Sequence, residues 1–134
     1  MMDDTQFDAL SKPIAIVVDD EPLILIDTSD IISDAGYSIV EATTAEQAYE
    51  FLTQHNSVEL LFTDAHTPGA IDGFELARNV AEDWPDICVV VASGAAMPTM
   101  GDLPGNAEFI AKPFSAETVL DVLRDKCPHH PVSD

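Results

Sequence analysis

With 134 residues, of which 25 are acidic and 5 are lysine or arginine, the chain carries a formal net charge of −20. So acidic a chain repels nucleic acid and anionic membrane surfaces, and neither is expected as a partner. Its apolar residues, 46% of the total, fall in compact runs, as one folded domain of ordinary size requires, and no run approaches the roughly 20 residues that cross a bilayer.

The first residues, MMDDTQFDALSKP, are acidic and lack a basic stretch followed by an apolar one, so they do not read as a signal peptide. Residues 1–12 are expected to form a flexible arm. IAIVV at 14–18 is continuous and β-branched, which predicts a first strand. Pro22 suits the first turn of a helix that runs to about Ala35 and is closed by Gly36. SIVEA at 38–42 predicts the second strand. Over 44–55, Ala45, Ala48, Tyr49 and Leu52 share a helical face, with Thr44 and Gln47 as a capping box.

ELLFT at 59–63 predicts the third strand, which ends on an acid, Asp64. Over 73–84, Phe74, Ala77, Val80, Ala81 and Trp84 share a face behind Asp72 as N-cap. ICVVVA at 87–92 is the fourth strand. The connection that follows, GAAMPTMGDLPGN at 94–106, holds two prolines and three glycines, so the fourth helix is expected to be short or frayed. EFIA at 108–111 is the fifth strand. Ala116, Val119, Leu120, Leu123 and Cys127 then line a last helix behind Ser115, and residues 128–134 form a flexible tail. The pair His129-His130 beside Cys127 sits between prolines and reads as part of that tail, not as a metal cluster.

Strand and helix alternate, and the strands are apolar on both faces, which predicts a doubly wound α/β domain with a parallel sheet. No repeat or linker divides it. The two cysteines do not suggest a disulfide framework. Cys88 reads as a small core hydrophobe, Cys127 as the close of a helix, and a reducing cytoplasm as the simplest compartment.

In a parallel sheet the carboxyl ends of all strands lie along one edge, where ligands bind. That edge receives Asp19 and Asp20 after strand 1, Asp64 after strand 3, Ser93 after strand 4 and Lys112 after strand 5. Three carboxylates so close raise one another's pKa unless a cation joins them. A hard divalent ion held by carboxylates, a carbonyl and water, as Mg²⁺ is, keeps positions open for phosphate oxygens. Lys112 and the Ser93 hydroxyl would complete a pocket for a phosphoryl group, and a carboxylate can itself be the nucleophile.

VVDDEP (17–22), LLFTDAHTPG (60–69) with DGFELA (72–77), VVVASG (89–94) and FIAKPF (109–114) together resemble the response-regulator receiver domain of two-component signalling, from about Ile14 to Lys126. The resemblance implies a flavodoxin-like five-stranded parallel sheet in order 2-1-3-4-5 with helices on both faces, here within a receiver domain spanning 13–127. It makes Asp64 the phosphoacceptor. Asp19, Asp20, Asp64 and the backbone carbonyl of His66 become ligands of Mg²⁺ (or Mn²⁺). Ser93 and Lys112 become the phosphoryl contacts, Phe109 the switch aromatic, and His66 and Ala95 the positions that tune hydrolysis. In many members a cis peptide precedes the proline corresponding to Pro113.

The implied partners are a histidine kinase or histidine phosphotransfer protein as donor and an unidentified downstream protein. The expected role is that of a stand-alone, stoichiometric phosphoacceptor, not an enzyme, that promotes its own phosphorylation and dephosphorylation. The loop TPGAIDG has one residue more between Pro68 and Asp72 than the commonest pattern, and the stretch from Ser93 to Lys112 is a few residues short. Two other readings compete. A phosphorylation-independent interaction module would need none of the acid, hydroxyl and lysine set. A small-molecule phosphatase would need a dedicated general acid and a second-substrate pocket, and neither is evident.

Overall fold

The computed structural model describes residues 13–55, 57–94 and 107–127. In chain order they form β1 (Ile14–Val18), α1 (Pro22–Asp34), β2 (Ser38–Ala42), α2 (Ala45–Gln54), β3 (Val58–Asp64), α3 (Gly73–Asp83), β4 (Cys88–Ser93), β5 (Glu108–Ala111) and α4 (Ala116–Lys126). The strands make one five-stranded parallel sheet in the order β2-β1-β3-β4-β5. The expected arm, the expected tail and nearly all of the connection 94–106 fall outside the described residues.

Alternation along the strands divides the core in two. Ile16, Val18, Leu61, Val89 and Val91 face the side covered by α2 and α3, where they meet Ala48, Leu52, Leu76 and Val80. Ala15, Val17, Leu60, Phe62 and Val90 face the other side, against Leu25 and Ile32 of α1 and Val119 and Leu123 of α4. Both faces are therefore dry, which is why the strands read as unbroken apolar runs. Each such fully buried Val, Leu or Ile contributes about 1.5–3 kcal/mol.

Local chemistry sets the helix ends. Asp72 Oδ1 accepts from the Glu75 N–H at 2.9 Å and Ser115 Oγ from the Thr118 N–H at 3.1 Å, both as N-caps. Thr44 accepts from the Gln47 N–H at 3.1 Å, while Gln47 Oε1 accepts from the Thr43 N–H, one residue earlier than a capping box would place it. Helix α1 has no side-chain cap of its own at Glu21, whose N–H donates instead to Asp19 Oδ1 at 2.9 Å. After Ala35, Gly36 takes φ 108°, a left-handed turn that favours glycine.

Two boundaries differ usefully from expectation. β3 extends through Asp64 and β4 through Ser93, because Asp64 pairs in register with Ala92 and Ser93 with Ala111. Both side chains thus stand on ladder-fixed backbone and not on the loops beyond.

The cysteine expectation is overturned: Cys88 and Cys127 form a disulfide, with Cα atoms 5.6 Å apart across a sequence separation of 39. Composition could not show that α4 runs back along the sheet and ends over the start of β4. The bond also removes the cysteine argument for a reducing compartment. No described helix is long and apolar enough to cross a membrane.

Candidate functional site

Two strand ends bring the acids together. Asp19 follows β1, whose last residue Val18 lies in register with Thr63 of β3, one position before Asp64. Oxygens of Asp19, Asp20 and Asp64 lie within 4.8 Å of one another. Asp19 is buried, Asp64 half-buried and Asp20 exposed. From the far side of the sheet, Lys112 arrives just after β5. Its backbone N–H donates to the Ser93 carbonyl at 2.9 Å, and the Lys112–Pro113 peptide is cis. Lys112 Nζ then lies 3.2 Å from Asp19 Oδ2 and 3.2 Å from Asp64 Oδ1, so one ammonium bridges both carboxylates.

The charges do not balance. Burial, opposed by Lys112 and reinforced by the charge of Asp19, holds the Asp64 pKa above the ordinary carboxylate value. For Lys112, burial is the largest single influence and pulls its pKa down, but the Asp64 and Asp19 charges together carry it above the ordinary lysine value. With all groups ionised, three carboxylates against one ammonium leave two uncompensated negative charges. An oxygen-only donor set of that charge fits a hard divalent cation such as Mg²⁺ or Mn²⁺.

The remaining sequence candidates divide. Ser93 is buried at the end of β4, on the strand next to Asp64. His66 is exposed. Its backbone N–H donates weakly to Asp64 Oδ1 at 3.5 Å, and its ring sits edge-on to Phe74 with centroids 5.9 Å apart. Its side chain is thus engaged with α3. Phe109 is half-buried in β5, in register with Val91, two positions before the site edge. Ala95 lies outside the described residues.

Gly73 was missed as a site residue. A Cβ there would fall 1.8 Å from the Asp64 carbonyl oxygen, and its N–H donates to the Ala65 carbonyl at 2.8 Å. The sequence marked Asp72 as the N-cap of α3, but not that the helix start at Gly73 rests on the backbone of Asp64.

Beside the acids, helix α1 exposes Leu23 (74% exposed) and Ile26 (50%). Between α1 and the stretch Lys112–Phe114 lies a cavity of about 770 Å³ lined by Ile24, Thr28, Ile31, Lys112 and Phe114, among others.

Comparison with known proteins gives one consistent answer. The family model described as "Response regulator receiver domain" matches residues 15–124. The response regulator GtcR of Aneurinibacillus migulanus is 32% identical over 108 residues, 79% of this chain but 43% of GtcR. The receiver protein CpdR of Brucella abortus is 35% identical over 90 residues, 65% of this chain and 73% of CpdR. A chemotaxis protein CheY homolog of Campylobacter jejuni is 28% identical over 116 residues, 82% of this chain and 88% of that protein. The chain therefore spans less than half of some relatives and most of others. A crystal structure of a response regulator receiver protein from Sinorhizobium medicae superposes with TM-score 0.83 at 22% identity, covering 90% of this chain and 98% of that one. At that identity the likeness concerns the fold.

Proposed function

Because the chain belongs to the response regulator receiver domain family, matched over residues 15–124, we propose that Asp64 is its phosphoacceptor, taking a phosphoryl group from a phosphohistidine on a kinase or phosphotransfer protein. The observation that carries this reading is the Lys112 ammonium, 3.2 Å from carboxylate oxygens of both Asp19 and Asp64 at the ends of separate strands. A surface ion pair needs no such convergence. A phosphoryl site does, because the nucleophile must be aimed while its charge is moderated.

In the transfer, an Asp64 oxygen attacks phosphorus. The O–P bond forms as the P–N bond to imidazole breaks, and the imidazole nitrogen keeps the electron pair. The product is an acyl phosphate. Asp19, Asp20, Asp64 and the His66 backbone carbonyl would hold Mg²⁺ or Mn²⁺, and such an ion would supply positive charge for the phosphoryl oxygens. Asp19 ties the N-cap residue of α1 to the site through the Glu21 N–H, and its buried carboxylate orients Lys112. Lys112 moves from pairing with Asp64 to pairing with the phosphoryl oxygens, so its charge is never left alone. Ser93, fixed by pairing with Ala111, offers its hydroxyl to the same oxygens. Phe109 would then report phosphorylation by repacking, with the phosphoryl group biasing two arrangements only through contacts that differ between them. His66 and Ala95 would set the lifetime of the acyl phosphate.

The chain thus acts stoichiometrically: it promotes its own phosphorylation and hydrolysis and turns over no separate substrate. A protein donor is supported by the exposed Leu23 and Ile26 on α1, next to the acids. The partner that reads the phosphorylated form is unassigned.

Incubation with acetyl phosphate and Mg²⁺, followed by intact mass, tests the reading. One phosphoryl increment on the wild type and none on Asp64→Asn is the expected result. No increment on either, or the same increment on both, would overturn it.

A further inference from the structure

We infer that Glu46, on helix α2 and outside the acidic cluster, is a positioning residue for the cation site, acting through the β3–α3 loop. The inference rests on the reading that the His66 carbonyl, carried by that loop, is a cation ligand. The loop leaves the sheet at Asp64 and returns at Gly73. It is closed at its neck, where the Gly73 N–H meets the Ala65 carbonyl at 2.8 Å and the Gly73 Cα sits against the Asp64 carbonyl.

Its tip is held from outside. Glu46 Oε2 accepts from the Ala70 N–H at 2.5 Å and from the Ile71 N–H at 3.3 Å, across sequence separations of 24 and 25. Gly69 has φ 116°, and a Cβ on it would fall 2.5 Å from Glu46 Oε1. Three successive residues thus wrap one carboxylate. The backbone angle favours Gly69 there, and a Cβ would also press on the end of the Glu46 side chain. The Glu46 carboxyl is held below its ordinary pKa by its own backbone N–H, then by those of Ala70 and Ile71. It also lies in the first turn of α2, where a negative charge meets the helix dipole favourably.

This arrangement answers a question left by the sequence. The loop carries an extra residue between Pro68 and Asp72, and an extra residue adds backbone freedom and one more N–H to satisfy. With neck and tip both fixed, the segment Ala65–Pro68 between them has little room to move, and the His66 carbonyl lies within it. Without Glu46 the tip amides would turn to water and that carbonyl would lose its defined place. Loss of an outer partner that orients a ligand typically weakens metal binding by about tenfold or more.

The test compares the wild-type chain with Glu46→Ala and Glu46→Gln. The glutamine keeps an amide oxygen able to accept from the same N–H groups. Two measurements are made: hydrogen exchange of the Ala70 and Ile71 amides in metal-free protein, and the Mg²⁺ dissociation constant by calorimetry. Glu46→Ala is expected to speed exchange at both amides and to raise the Mg²⁺ dissociation constant about tenfold. Glu46→Gln should stay within about twofold of wild type, which separates an acceptor role from a charge effect. Adding Gly69→Ala to Glu46→Ala should cost less than Gly69→Ala alone, because the clash with the carboxylate is gone. Wild-type Mg²⁺ affinity in Glu46→Ala overturns the inference, even if exchange at the loop tip is faster. If the wild-type chain binds no Mg²⁺, the functional reading fails and takes the positioning role with it. The exchange result would then still report whether Glu46 holds the loop.

Discussion

The two ends of this sheet are built on opposite plans. At the carboxyl end, β1, β3 and β5 deliver charge: Asp19, Asp64 and Lys112 meet in a half-buried cluster of unbalanced sign. At the amino end, covalent and aromatic contacts close the structure. Cys127 after α4 is bonded to Cys88 at the start of β4, Trp84 sits edge-on to Tyr49 with centroids 5.4 Å apart, and the Tyr49 hydroxyl donates to Asp83 at 2.7 Å. One end carries an unbalanced electrostatic cost, and the other holds a frame closed by covalent and aromatic contacts. Local strain or repulsion at a site persists only where the surroundings over-determine it.

Breaking the closed end should have the largest effect on stability. The disulfide closes a loop of sequence separation 39, for which loop-closure entropy gives a contribution of about 2–4 kcal/mol. A Cys88→Ser, Cys127→Ser double variant, or the wild type under a dithiol reductant, should lose roughly that much in denaturant unfolding. Phosphorylation by acetyl phosphate should survive at low denaturant, because no site residue lies at that end. A loss of phosphorylation in a still-folded double variant would show the two ends to be coupled.

At the carboxyl end the backbone of Asp64 is backed by Gly73, buried at the start of α3. Gly73→Ala forces its Cβ onto the Asp64 carbonyl, and overpacking of this kind costs about 1–3 kcal/mol. Because the strained neighbour is the backbone of Asp64, this variant should lose phosphorylation as well as stability, unlike the cysteine variant. Unfolding curves and intact mass on the same samples check both halves.

At the open end the sign reverses. Asp64 has a raised pKa in the folded protein, mainly through burial and against the pull of Lys112. A raised folded pKa means that stability is fully present below the unfolded carboxylate value and is lost as pH rises through the folded value. At neutral pH the metal-free protein therefore carries a cost that Asp64→Asn removes. In a chelating buffer Asp64→Asn should melt a few degrees above wild type, and added Mg²⁺ should narrow or reverse the gap. A lower melting temperature for Asp64→Asn in chelator would show that the Lys112 pairing outweighs burial.

The same contrast explains which features could be foreseen. The strands, the helix caps at Asp72 and Ser115, and the convergence of Asp19, Asp20, Asp64 and Lys112 follow from periodicity and from the rule that parallel strands end on one edge. Each of those signals is local or topological. The missed contacts depend on how distant pieces meet. Cys88 finds Cys127 only because α4 returns antiparallel to β4. Glu46 finds Ala70 only because α2 and α3 lie side by side on one face. Nothing in TTAEQAYEF marks Glu46 as different from any other acid in a first helical turn. Even Gly73, next to the recognisable N-cap Asp72, gave no hint that the oxygen it must clear is that of Asp64.

The smallest effect expected is a titration at the closed end. Tyr37 is almost fully buried ahead of β2, and burial, with the charge of Glu59 added, pushes its pKa from 10.0 up to about 12. The unfolded chain ionises this phenol first, so stability is intact below pH 10.0 and falls as pH rises through about 12. Phenolate absorbance should show the Tyr37 step arriving together with loss of helical circular dichroism, not before it. Tyr37→Phe should flatten the pH dependence of stability in that window while leaving the Mg²⁺ affinity of the opposite edge unchanged. A Tyr37 that titrates freely near its ordinary value, in protein that remains folded, would mean that the amino end is open to water and that the two ends are built more alike.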